Sequence, residues 1–344
     1  MKPVPGIPQY SALVLLLLAT ALPFCIISVS AVTVTDDAGT SVTINATPQR
    51  IVSLAPSNTE ILASLGLLER VVGVTDVCDY PPAVKNIPRI GGYSAISIEK
   101  VAAARPDLVL ASDITSQETV SRLRYLGLTV VVVAPRNIDH VMRDIRLVGT
   151  LTGNDPAAEG LAANLSARST AAAPASPASY NLTVAHVVWN DPLYVSGNDT
   201  LQDDVIVHTG GTNIFPDREG WGTVPLEEFL IRNPDIIIVN GGGGMDNTTK
   251  DIILEDFMNS PQYASLSAVK NHHVYAVDSN IISRAGPRIF DAEEQVAGII
   301  RAVHDESMAS QAAAISTVKS PGFCAAWTGL LICLLITIRR RRDL

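Results

Sequence analysis

Twice in this chain a glutamate stands seven residues ahead of a Pro-Asp pair that opens a run of branched apolar residues. Glu99, in Ile98-Glu99-Lys100-Val101, precedes Arg105-Pro106-Asp107-Leu108-Val109-Leu110. Glu227, in Leu226-Glu227-Glu228-Phe229, precedes Asn233-Pro234-Asp235-Ile236-Ile237-Ile238. The residue before a proline is driven out of the helical region, and Val/Ile/Leu runs bounded by turn residues fit strands covered on both faces. Each copy therefore predicts a short helix, a stop and a buried parallel strand. Two copies 128 residues apart predict two similar α/β lobes. Each lobe carries a carboxylate in the first turn of an equivalent helix, where the helix dipole favours negative charge. Taken singly, such acids only help start helices; taken as a matched pair, they give a two-lobed binding protein one acidic contact point per lobe.

The surrounding pattern is βα throughout. Residues 32 to 44 alternate and turn at Asp37-Ala38-Gly39, which predicts a leading hairpin. Strands are predicted at 50–54, 71–74, 108–111 and 129–134, and helices at 57–65, 99–104 and 115–125. Ser57 and Glu60 have capping-box spacing at the start of the first of these helices. Alternation of this kind implies a parallel sheet with right-handed crossovers. Residues 138 to 172 read as helix, interrupted at Gly153-Asn154-Asp155-Pro156, with Asp155 as N-cap and Pro156 as the first helical residue. An exposed linker, Ala173-Pro174-Ala175-Ser176-Pro177, follows. βα segments resume at 182–188, 203–209, 227–232, 235–240 and 274–277, and a final helix covers 291–304. The expected domains are an N-terminal α/β lobe at 32–137, a linking helix and linker at 138–177 and a C-terminal α/β lobe at 178–306. A long rigid helix between lobes permits small tilts and disfavours a wide clamshell closure.

The chain ends place this domain. Lys2, an apolar stretch from Leu13 to Val29 and the small residues Ser30-Ala31 read as a signal peptide at 1–31, the alternative being an uncleaved anchor. Cys25 follows Leu22-Pro23-Phe24, too bulky for a lipid-attachment site. Residues 307–319 are polar and alanine-rich and read as a flexible tether, and 320–344 hold an apolar run, Phe323 to Ile338, closed by four arginines. Those arginines would keep the tail inside and the domain outside. The order Ser320-Pro321-Gly322-Phe323, apolar run, basic residues resembles the archaeal PGF-type C-terminal sorting signal, whose family loses this tail and is joined to a lipid. Cleavage and spanning both remain open, but each gives a membrane anchor. The formal charge is −9, and without residues 1–31 and 321–344, which carry a net +4, it is −13. So acidic a domain is not built for nucleic acid. Cys78 is the one cysteine outside the terminal segments, so no internal disulfide framework exists. Sequons begin at Asn45, Asn164, Asn181, Asn198 and Asn247 and offer glycosylation sites in an exported domain.

Five ordered motifs carry a resemblance. They are Arg50-Ile51-Val52-Ser53-Leu54-Ala55-Pro56-Ser57-Asn58-Thr59-Glu60, Asp79-Tyr80-Pro81-Pro82, Arg105-Pro106-Asp107-Leu108-Val109, Gly210-Gly211-Thr212-Asn213-Ile214-Phe215 and Arg284-Ala285-Gly286-Pro287-Arg288. Over residues 33–305 the chain resembles the helical-backbone class of ABC-importer solute-binding proteins that capture cobalamin or ferric siderophores, the cobalamin binders most of all. The resemblance implies two Rossmann-like lobes with a ligand cleft between them, no cofactor beyond the bound ligand, and a monomer serving a permease dimer with its ATPase subunits. A corrinoid face edged with amides asks for aromatic surface and a few hydrogen-bonding groups. Implied ligand residues are Pro56, Ser57, Tyr80 and Tyr93 from the first lobe and Trp189, Trp221, Asn280 and Arg284 from the second. Glu99 and Glu227 would meet permease arginines, with Glu228 an adjacent alternative to Glu227. Val77 and Asn280 depart from a tyrosine and an aspartate of the family pattern, which leaves room for a related corrinoid or a siderophore; a ferric-siderophore or haem binder of the same class is the alternative.

The rival reading, a surface metal-dependent hydrolase, lacks its motifs. His140, His186, His208, His272, His273 and His304 form no H-E-x-x-H, and Gly-x-Ser-x-Gly is absent. His272-His273 sits in a turn and reads as solvated, and Cys78 reads as buried apolar filler. Gly241-Gly242-Gly243-Gly244 lacks the lysine and hydroxyl residue of a phosphate loop and reads as a turn after a strand. No catalytic or metal-ligating residue is expected.

Overall fold

The computed structural model describes residues 31–92, 94–174, 180–242 and 251–318. Strands β1 (Val32–Thr35) and β2 (Ser41–Ile44) form the predicted antiparallel hairpin. Asp36 holds its turn: one carboxylate oxygen accepts from the Ala38 and Thr40 N–H groups, the other from Arg124 and the Val132 N–H.

The first lobe is built from β3 (Ile51–Ser53), α1 (Pro56–Ser64), β4 (Val71–Val74), α2 (Ile98–Ala103), β5 (Leu108–Ala111), α3 (Gln117–Tyr125) and β6 (Val130–Val132). Its four strands are all parallel in the order β4-β3-β5-β6, and β5 is buried at every position. After α4 (Ile138–Thr152) and α5 (Asp155–Ala172) comes the second lobe. It holds β7 (Leu182–Asn190), β8 (Leu193–Ser196), α6 (Leu201–His208), β9 (Gly211–Asn213), β10 (Trp221–Thr223), α7 (Leu226–Arg232), β11 (Ile236–Gly241), α8 (Ile252–Asn259), α9 (Ser267–Lys270), β12 (Val274–Asp278), α10 (Ser279–Ile282) and α11 (Ile289–Val318). Its sheet runs β10-β8-β7-β11-β12, with β9 beside β7. The sheet is mixed and not wholly parallel as expected, because β8 turns back on β7 and β10 pairs antiparallel with β8. Those strands have 4 and 3 residues, too short to carry a period in the sequence.

The repeated Pro-Asp unit does the same work in both lobes. Arg105 and Asn233 precede the prolines at φ 46° and 44°, so each helix ends on a left-handed residue rather than an extended one. Asp107 then accepts the N–H groups of Gln49 and Arg50 at the entry to β3, and Asp235 accepts that of Thr183 in β7. In each lobe the aspartate that opens one parallel strand ties down the start of its neighbour.

The interruption at Gly153 is a reversal: Gly153 adopts φ 67°, and α5 folds back on α4. An added Cβ at Gly149 would stand 2.3 Å from the Ala158 Cβ, so the two helices meet at small residues. Asn154, not Asp155, is the N-cap position of α5, one residue earlier than predicted. Helix α5 is the link between lobes. Glu159 near its start pairs with Arg146 of α4, while Arg168 near its end pairs with Asp291 and Glu294 of α11. One buried apolar cluster runs without a break from Ile51 and Ile61 through Val148 and Leu165 to Val184, Ile238 and Phe290. The lobes thus share a core.

Two further expectations change. Residues 307–318, read as a tether, continue α11, since an alanine-rich run propagates a helix already started. His273 is buried, with Nε2 3.4 Å from Glu306 of that helix, and only His272 is exposed. Among the described residues no helix is long and apolar enough to cross a membrane. Residues 1–30 of the leader, most of the 173–177 linker, the second half of the glycine run and the C-terminal sorting segment lie outside the described residues.

Candidate functional site

In open parallel sheets the loops beyond the carboxyl ends of the strands make the binding crevice. Here the loops after β3 and β4 of one lobe meet the segment after β12 of the other. The first loop is set by buried polar contacts. Thr59 Oγ1 donates to Ser53 Oγ at 2.8 Å, and Asn58 Nδ2 donates to the Ala111 carbonyl at 2.9 Å, which pins α1 across the ends of β3 and β5. The loop after β4 is held from behind by Arg89, whose Nη1 donates to the Thr75 and Cys78 carbonyls at 2.8 and 2.7 Å. Asp79 and Tyr80 stand exposed on that loop. From the second lobe, Asp278 caps α10 through the Asn280 N–H, and Gln202 donates to the Ile282 carbonyl at 2.9 Å. That fixes Asn280 and Arg284 one turn apart.

Across this junction the side chains interlock. Arg288 donates from Nε and Nη2 to the two oxygens of Glu60 at 3.0 and 2.6 Å, and its guanidinium lies 4.0 Å from the Tyr80 ring centroid. Arg284 Nη1 reaches Asp79 Oδ1 at 2.6 Å and Glu60 Oε1 at 3.4 Å, while Nη2 donates to Asn280 Oδ1 at 2.6 Å. Glu60 is 2% exposed, so its charge is met almost wholly by these arginines. Burial pushes the Asp79 carboxyl up, but the Arg284 hydrogen bond and charge outweigh it and hold the carboxyl below its usual range. Gly286 lets the segment approach: an added Cβ would stand 3.3 Å from Glu60 Oε2 and from Ser57 Cα.

The predicted residues fall into three groups. Ser57, Tyr80, Asn280 and Arg284 belong to this junction, and Pro56 opens α1 beside it. Trp221 opens β10, 46% exposed, and its Nε1 donates to Gln202 Oε1, which ties it to the same α10 segment. Trp189 is half-buried at the end of β7, packs on the second lobe's core and donates to the Asp191 carbonyl. No described contact joins Trp189 to the junction, and Tyr93 lies outside the described residues. The capping box is corrected: Ala55 is the N-cap residue, Pro56 follows it, no side chain caps, and Glu60 is turned to the other lobe.

Sequence reasoning missed Glu60, Asp79 and Arg288, although all three lie inside the quoted motifs. The four-residue spacing of Arg284 and Arg288 was the available signal, since it stacks two cations on one side of a turn. It also missed His186, which is fully buried, with Nδ1 2.8 Å from Ser196 Oγ and Nε2 3.1 Å from Asn240 Oδ1. Asn240 Nδ2 extends this chain to Ser283 Oγ at 3.4 Å. Burial pushes the His186 imidazole down to about 4, so it is neutral. Cys78 is buried between Thr59 and Thr75, as expected of a filler.

Glu99 and Glu227 both lie exposed in the first turns of α2 and α7, away from the junction. Glu228 is held by Arg218 and Arg232 at 2.6 and 2.8 Å, whereas Glu227 makes no ion pair among the described residues.

Two α/β lobes on one helical link, with Tyr80 and Trp221 part-exposed near the loops where the lobes meet, define the class of solute-binding proteins. The chain belongs to the periplasmic binding protein family, whose pattern matches residues 51–281, and is a binding protein, not an enzyme. It is 30% identical over 274 residues to an uncharacterised ABC transporter substrate-binding lipoprotein of Bacillus subtilis, covering 77% of this chain and 84% of that protein. The crystal structure of the periplasmic vitamin B12-binding protein of Vibrio cholerae is similar at TM-score 0.66 and 27% identity, over 75% of this chain and 98% of that one. The periplasmic haem-binding protein of Roseiflexus sp. RS-1 is similar at TM-score 0.65 and 26% identity, over 74% and 99% of the two chains.

Proposed function

We propose that this protein is the external substrate-binding component of an ABC importer, and that it captures a corrinoid and hands it to a permease dimer. The observation that carries the reading is part-exposed aromatic surface together with hydrogen-bonding groups where the two lobes meet. Tyr80 and Trp221 are 44% and 46% exposed; Tyr80 stacks on Arg288 at the junction that holds Asn280, Arg284 and Ser57, and Trp221 is tied to that segment through Gln202. A flat, amide-edged macrocycle needs such a surface. Likeness to a vitamin B12-binding protein over three quarters of the chain supports it. Haem or a ferric siderophore is the second reading, favoured by the likeness to a haem-binding protein and by Val77 and Asn280, where the family pattern has a tyrosine and an aspartate. The C-terminal segment, cut at a PGF-type signal or left spanning, would anchor the domain outside the membrane.

The test is intrinsic tryptophan fluorescence of residues 32–319 titrated in parallel with cobalamin, cobinamide, haem and a ferric siderophore. Saturable quenching by a corrinoid at lower concentration than by the others is expected. Saturation by haem or the siderophore alone would replace the ligand and leave the importer role standing.

A further inference from the structure

We propose that Asp79 and Glu60 are specificity-determining residues: by neutralising Arg284 and Arg288 across the cleft, they make the site select against solutes recognised through carboxylates. This rests on the cleft being the ligand site. Arg284 and Arg288 are the guanidinium groups that the second lobe brings to the junction, and a guanidinium fork is the natural partner of a carboxylate. Both are already engaged from the opposite lobe. Arg284 spends its terminal nitrogens on Asp79, Glu60 and Asn280, and Arg288 lies bidentate on Glu60 with its face on Tyr80. The other charges nearby do not restore an excess of cation. Arg89 is committed to two carbonyls behind the loop, Arg136 is paired with Asp199, and Asp76 and Asp278 add exposed carboxylates.

A solute bearing carboxylates must therefore expel one from an arginine or sit beside Glu60, which is 2% exposed and cannot leave for solvent. Like charges that close in a partly dry site raise the cost of binding. A solute edged with neutral amides meets a floor whose charges already cancel, and can share hydrogen bonds with it. The same scaffold with Asp79 or Glu60 made neutral would present a free fork and favour the opposite class.

The experiment uses protoporphyrin IX, which bears two propionates, and its dimethyl ester, which bears none, each titrated by fluorescence quenching. Wild type should bind the diacid no more tightly than the diester. Asp79→Asn, at a position half exposed and safe for folding, should raise the diacid-to-diester affinity ratio at least tenfold, and Glu60→Gln should move it the same way. A wild-type preference for the diacid, or a ratio that stays within threefold in Asp79→Asn, would overturn the proposal. So would failure of that variant to gain diacid binding. A parallel titration of wild type with cobinamide separates the two claims, since its failure would remove the corrinoid reading and leave the charge ratio intact.

Discussion

His186 shows how a single side chain can set a pH limit on the whole fold. It is neutral and fully buried between Ser196 and Asn240, and burial depresses its pKa from the ordinary 6.5 to about 4. The unfolded chain therefore binds this proton first, so stability is full above about pH 6.5 and is lost as pH falls towards 4. In urea titrations at pH 5 and pH 7.5 this group alone should cost about 2 kcal/mol at the lower pH, read as the difference in pH dependence between wild type and His186→Gln. The variant is needed because Asp144, pushed up to about 8 by burial, acts in the opposite sense. Equal sensitivity in that variant would mean another group carries the effect. Trp221 is the aromatic most exposed to a ligand at the second lobe's edge, and its replacement by alanine should weaken ligand binding by about 2 kcal/mol in calorimetry. The scarcity of aromatic residues singled out Trp189 and Trp221 in the sequence, whereas Tyr80 came with its Asp-Tyr-Pro-Pro motif. Glu60 was not singled out, because a carboxylate three residues after a serine satisfies a local capping rule as well as a long-range one. Only the approach of Arg288, 228 residues away, decides between them.

At the scale of elements, the paired helices α4 and α5 fix how the lobes meet. Gly149 faces Ala158 with no room for a methyl group, so Gly149→Ala should lower stability by about 1–3 kcal/mol, despite alanine's better helix propensity. A higher urea midpoint would show that the helices can separate without loss. The parallel strands were legible because strands buried on both faces read as unbroken apolar runs, and the Pro-Asp units marked their starts. The hairpin of β8 and the edge strand β10 were not, since Trp221-Gly222-Thr223 has no pattern of its own and is ordered by pairing with Tyr194, Val195 and Ser196. The capping preferences of α2, α3 and α4 were met by Ser97, Ser116 and Asn137, but the break after α4 turned the chain back, which apolar periodicity alone does not encode.

For the molecule as a whole, the proposed function assigns delivery to the repeated glutamates and capture to the cleft. Glu99 and Glu227 lie exposed on equivalent helices, and a backbone N–H and the Ser97 hydroxyl hold the Glu99 carboxyl below its usual range, so that it stays charged. If they are docking contacts, Glu99→Ala with Glu227→Ala should leave ligand affinity within about threefold and reduce uptake through the partner transporter sharply. Wild-type uptake by the double variant would return both residues to helix-start duty. The shared apolar core and the interlobe pairs of Glu60 favour small tilts over wide closure, so ligand should enter a cleft already formed. The central claim is that this cleft captures a corrinoid, and isothermal calorimetry of residues 32–319 with cobinamide and cobalamin tests it most directly. One saturable site per chain with at least one of them is the predicted result; no saturation with either, alongside clear binding of haem or a ferric siderophore, would contradict it.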